Sequence, residues 1–94
     1  MAMKVTNTRQ QLTDQDFGSA MAAVLAKVNF RREQKGDHTL ASSHEILGIL
    51  DEEYDELRTE VHCNMHDNQV DELEDIAVAA IFGIASIKSG GIDW

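Results

Sequence analysis

Proline is absent from this 94-residue chain, and so are internal repeats, low-complexity tracts and any period-two alternation long enough to lay down a sheet. The chain therefore reads as one small all-α domain spanning residues 1–94, with a core over about 13–90. Cysteine occurs once, as Cys63, which excludes an intramolecular disulfide and fits a reducing cytoplasm. The opening segment has no apolar h-region, so no secretory leader is expected. The uncharged run Ile76 to Ile87 is twelve residues long, too short for a bilayer, which takes about 20. Bases are scarce, with 8 Lys and Arg against 17 Asp and Glu and a net charge of −9.

The distribution of that charge narrows the partners. Eleven of the seventeen acids fall between Asp51 and Asp75, where Arg58 is the one base, so nucleic acid would be repelled there. Lys27, Arg31, Arg32 and Lys35 collect elsewhere, a local basic patch able to meet a small metal-chelated polyphosphate. Much of that patch also suits a plain solvated surface.

Three helices are expected. The first opens with Thr13 as N-cap and Asp16 in the capping-box position, sets Phe17, Met21, Val24, Leu25 and Val28 on one stripe, and runs to about Gln34. Residues 35–38 read as a turn. Ser42 with Glu45 gives a second capping box, and the second helix runs to about His62 with Ile46, Leu47, Leu50, Tyr54, Leu57 and Val61 on its apolar arc. The third starts near Asp67 or Asn68, either of which can cap it, and ends before Ser89, Gly90 and Gly91. Because the run Ile76 to Ile87 is apolar all round, it must be buried all round. One chain of this length has too little to cover it. An antiparallel hairpin plus N-terminal helix, completed as a four-helix-type bundle in a homo-oligomer, is the expected architecture.

Two pairs of carboxylates stand out on the second and third helices. Glu53 with Glu56, and Glu72 with Asp75, are each three residues apart, which places both members on one helix face. Glu56 and Asp75 are expected to sit nearly level across the hairpin. Four clustered carboxylates repel unless cations neutralise them, and Mg²⁺ or Mn²⁺ would do so. The spacing alone leaves the register open, since Glu52 with Asp55 and Asp71 with Glu74 repeat it. An acidic solvated face, rich in acids where a helix dipole favours them, is the plain alternative.

The string HEILGILDEEYDELRTE followed by DELEDIAVAAI resembles the MazG-like all-α nucleoside triphosphate pyrophosphohydrolases, with their EExxE, spacer, ExxD signature. The likeness covers about residues 13 to 90. Glu52, Glu53 and Glu56 match the first half and Glu72 and Asp75 the second, and this pattern selects Glu53, Glu56, Glu72 and Asp75 as the metal set. The resemblance implies a dimer or dimer of dimers of helical hairpins. It also implies Mg²⁺ on the four motif carboxylates, and water attack at the α-phosphorus of a nucleoside triphosphate to give monophosphate and pyrophosphate. Glu53, with Glu52 as alternative, is then the general base. Lys27 and Arg31, four apart on one face, become triphosphate contacts. Ser86, the one polar residue of Ala79, Phe82 and Ser86 on the face after ExxD, becomes a sugar or phosphate contact, and His44 a further ligand contact.

Other features admit quieter readings. His62, Cys63 and His66 are zinc-capable but lack a clear fourth ligand. Met21 and Phe30 suit core or interface, Trp94 ends a tail, and close helix packing accounts for Gly18, Gly48 and Gly83 inside helices. The rival to an enzyme is a non-enzymatic acidic helical protein that decoys a basic partner surface.

Overall fold

The computed structural model describes residues 9–92. The first eight residues, where a leader was sought, and Trp94 lie outside the described residues. Three helices make up the architecture, α1 (Asp14–Lys35), α2 (Ser43–His62) and α3 (His66–Lys88), and no strand occurs among the described residues.

Local chemistry sets each boundary. Thr13 caps α1 through the expected box: its Oγ1 accepts from the Asp16 N–H at 3.1 Å, and the Asp16 carboxylate accepts from the Thr13 N–H at 2.8 Å. Helix α1 ends at Gly36, whose φ of +85° suits a residue without Cβ. At α2 the Ser42 hydroxyl accepts from Glu45 N–H, but the Glu45 carboxylate reaches one residue further back, to Ala41 N–H at 2.6 Å.

The α2–α3 turn differs from expectation. Helix α3 begins at His66 behind Met65, with no side-chain cap. Asn64 takes a left-handed φ of +57°, Asn64 N–H donates to Val61 C=O, and Met65 N–H donates to Glu60 C=O, both at 3.0 Å. This is a Schellman ending with asparagine at the left-handed position. It frees Asn68 to donate to the Glu60 carboxylate and Gln69 to the Glu60 carbonyl. Gly90 and Gly91 close α3 in the same way, donating to Ile87 and Ser86 carbonyls.

Helix α3 is the centre. Helix α2 packs along one side of it and α1 along another, while the backbones of α1 and α2 come no closer than 8 Å between Cα atoms among the described residues. Burial follows that order: Val78, Ala79, Gly83 and Ser86 of α3 are buried, and no residue of α1 or α2 is. Gly83 is where α2 comes closest, since a Cβ there would meet the Ile46 side chain at 3.2 Å. Gly18 and Gly48 face open space instead, so packing within this chain does not explain them.

Two apolar seams remain largely uncovered, with Leu50, Leu57, Ala77 and Ala80 half-buried along them. On α2, Leu47, Leu50, Tyr54, Leu57 and Val61 recur with spacings of three and four, and so do Val70, Leu73, Ala77, Ala80, Ile84 and Ile87 on α3. This is the heptad a/d pattern of helices built to pack on other helices. Leu47 is 59% exposed, Tyr54 54%, Ile84 58% and Ile87 58%. At 100° per residue on antiparallel helices, both seams lie on the side of the hairpin away from α1.

Candidate metal centre

The carboxylates gather on the opposite side, the one α1 flanks. The contacts from Glu60 to Asn68 and Gln69 and from Ile46 to Gly83 fix the hairpin register. In this register Glu56 faces Glu72 and Glu53 faces Asp75. Expectation placed Glu56 level with Asp75, about one turn away. The difference comes from the tight turn at Asn64, which starts α3 earlier than an Asp67 or Asn68 cap would. Pair therefore meets pair, and one carboxylate oxygen from each of Glu53, Glu56 and Glu72 lies within 4.8 Å of the others.

Three ionised carboxylates have acceptors and no donor. The Oε1 atoms of Glu53 and Glu72 are closed off from water and have no hydrogen-bond partner. Burial pushes the Glu53 carboxyl up to about 7 from an ordinary 4.5, and the neighbouring charges of Glu56, Asp75 and Glu72 add to it. Burial also raises Glu72, together with its approach to Glu56. A proton shared between two of these groups turns a repulsive contact into a hydrogen bond, so the cluster shows a deficit of positive charge. Oxygen-rich, anionic and partly desolvated, it has the donor chemistry that hard divalent cations take.

Asp75 stands at the edge of this group and is held by Lys27 of α1. The Lys27 ammonium lies 3.2 Å from Asp75 Oδ1, 3.2 Å from Glu74 Oε1 and 3.8 Å from Asp71 Oδ1. It also donates to the Asp71 carbonyl at 3.4 Å. Partial burial pulls its pKa down, but the Glu74 and Asp75 carboxylates outweigh that and hold it above its ordinary value. The sequence gives no sign of this contact, because Lys27 and Asp75 are 48 positions apart.

One helical turn beyond the carboxylates, Ile49 and Ala79 help to line a cavity of about 260 Å³, to which Arg31, Lys35, His38 and Phe82 also contribute. Arg31 and Lys35 of the basic patch thus lie on one cavity, and His38 joins them from the stretch expected as a turn. Glu52 is exposed and outside the converged oxygens. His44 is exposed in the first turn of α2 and belongs neither to the converged carboxylates nor to the cavity lining. Ser86 is 2% exposed, and its Oγ accepts from Leu40 N–H at 2.9 Å. Its visible work is to pin the α1–α2 connection to α3, while it also borders a hollow of about 400 Å³ lined by Val28, Ile81 and Phe82. His62, Cys63 and His66 form no metal-capable group among the described residues.

No protein-family model, curated protein or solved structure matches the chain.

Proposed function

We propose that this protein is a Mg²⁺-dependent nucleotide pyrophosphohydrolase of the MazG-like kind, cleaving (deoxy)nucleoside triphosphates to monophosphate and pyrophosphate. The observation that carries the reading is the convergence of Glu53, Glu56 and Glu72 within 4.8 Å, with Asp75 beside them. The donorless buried oxygens of Glu53 and Glu72 support it, because they fit a cation better than they fit solvent.

Glu53, Glu56, Glu72 and Asp75 are the residues that would hold Mg²⁺, or Mn²⁺ in its place. When bound, the ion supplies charge neutralisation and polarisation of phosphate oxygens. The chain's own groups do the rest. Glu53, whose carboxyl is raised by burial and by the neighbouring acids, is the proposed acceptor for the proton of the attacking water. Arg31, on the cavity one turn away, offers a fixed positive charge to the phosphate chain. The apolar floor of that cavity, Ile49, Ala79 and Phe82, is proposed to receive the nucleoside.

The proposed working unit is a homodimer or homotetramer in which the α2 and α3 seams of two copies close a four-helix bundle. Self-association is supported by their heptad spacing and by the lack, among the described residues, of any buried apolar side chain larger than Val78. Among the described residues no helix is long and apolar enough to cross a membrane. A cytoplasmic setting fits the lone exposed thiol of Cys63.

Incubation with a panel of ribo- and deoxyribonucleoside triphosphates plus Mg²⁺, with products separated by ion-exchange chromatography, tests the proposal. Monophosphate and pyrophosphate in equal amounts are expected from at least one nucleotide, and EDTA should abolish them. Release of orthophosphate alone, or no turnover of any nucleotide, overturns it.

A further inference from the structure

The ammonium of Lys27 occupies a place that the proposed function assigns to a different charge. Asp75 Oδ1 turns to Lys27 Nζ at 3.2 Å, and of the four proposed metal ligands Asp75 is the one missing from the group of three oxygens within 4.8 Å. Meanwhile the buried oxygens of Glu53 and Glu72 have no donor. One monovalent cation from α1 thus neutralises the edge of the cluster and leaves its middle bare. A lysine cannot do more, because its ammonium sits at the end of a stem fixed to another helix.

Helix α1 is lightly held. It has no buried residue, its backbone comes no closer than 8 Å to that of α2 between Cα atoms among the described residues, and Val24 and Val28 are only half-buried. The Lys27 contacts with Asp71, Glu74 and Asp75 therefore act beside the half-buried Ala23, Val24 and Val28 in attaching it to α3.

We propose that Lys27 is a resident counter-ion that keeps Asp75 turned toward α1 and must yield it when a divalent cation enters, so that cation loading unlatches α1 from the hairpin. This rests on the metal-binding reading above and adds a regulation to it. The access of substrate to the groove between α1 and α2 is then coupled to occupancy of the metal centre. Lys27 acts through Asp75 and is a positioning residue.

Mn²⁺ titration of the full chain, followed by the electron paramagnetic resonance of the free ion, tests the latch without reference to activity. Lys27→Met removes the competing charge and should bind Mn²⁺ about 2- to 5-fold more tightly than wild type, the range expected for losing partly exposed ion pairs. Lys27→Arg should stay near wild type. Equal or weaker binding by Lys27→Met overturns the latch, including the case in which only nucleotide affinity falls and Lys27 is a phosphate ligand. If wild type binds no Mn²⁺, the metal reading itself fails, a separate outcome. Hydrogen exchange of wild type with and without Mg²⁺ gives an arm independent of any variant. Amides of residues 20–30 should exchange at least about threefold faster with Mg²⁺ while α2 and α3 slow. Uniform protection of all three helices overturns the proposal.

Discussion

Replacing Glu53 with glutamine removes a charge and keeps the shape, and its effect on stability should reverse sign with the metal. Without a divalent ion, Glu53 is under strain from burial and from Glu56, Asp75 and Glu72. A carboxyl moved from 4.5 to about 7 carries roughly 3 kcal/mol at about 1.4 kcal/mol per tenfold change. Screening of groups this close to solvent reduces it to about 1–2 kcal/mol. Glu53→Gln in EDTA at pH 8 should therefore melt about 5–10 °C higher than wild type, given the sensitivity of a domain this size. In saturating Mg²⁺ the order should invert, because wild type gains roughly 1–3 kcal/mol at ten to a hundred times its dissociation constant and the variant loses a ligand.

The pH dependence follows from the same group. The folded carboxyl holds its proton up to about 7 and the unfolded one only to about 4.5, so folding takes up protons between those values. Glu72, also raised, acts in the same direction. Metal-free stability contributed by protonation is complete below about 4.5 and is lost as pH rises through about 7. Wild type in EDTA should gain melting temperature from pH 8 to pH 5.5, and Glu53→Gln should lose most of that slope. Differential scanning fluorimetry over four pH values in EDTA and in Mg²⁺ reads all of this. A variant that melts lower than wild type in EDTA, or that Mg²⁺ stabilises as strongly as wild type, refutes the account of Glu53 as a strained ligand.

The seam and the turn make separate predictions. Ile84→Glu places a charge on the exposed apolar stripe of α3 and should convert the proposed oligomer to monomer or partly unfolded chain in light-scattering chromatography; an oligomer of unchanged size overturns the assignment of the seam as the joining surface. Asn64→Val forces a β-branched side chain into the left-handed region at φ +57° and should cost about 1–2 kcal/mol, read as a lower urea midpoint; an unchanged midpoint would show that the turn does not hold the register.

Sequence pattern and structure agree most closely where local chemistry decides. Thr13 and Asp16 form their box, and the three helices fall within a residue or two of the expected spans. The pairing of Glu53 and Glu56 with α3 was legible as a face on each helix, but the level at which the faces meet was not. That level depends on Asn64 taking a left-handed conformation and on Asn68 and Gln69 reaching back to Glu60. Lys27 shows the same limit more strongly. Its charge and position are plain in the sequence, yet its partners on α3 appear only once α1 is docked. Ser86 reads as a free hydroxyl until its acceptance of the Leu40 N–H is seen.

The hairpin keeps its acids and its apolar seam on separate sides, with no side chain common to both. Substitutions that change which copies associate, or how many, can accumulate among Leu47, Tyr54, Leu73, Ile84 and Ile87 without disturbing Glu53, Glu56, Glu72 or Asp75. On the proposed reading, a lineage carrying this hairpin is free to diverge in quaternary form while inheriting its carboxylate cluster intact, so assembly and metal chemistry can evolve at different rates on the same two helices.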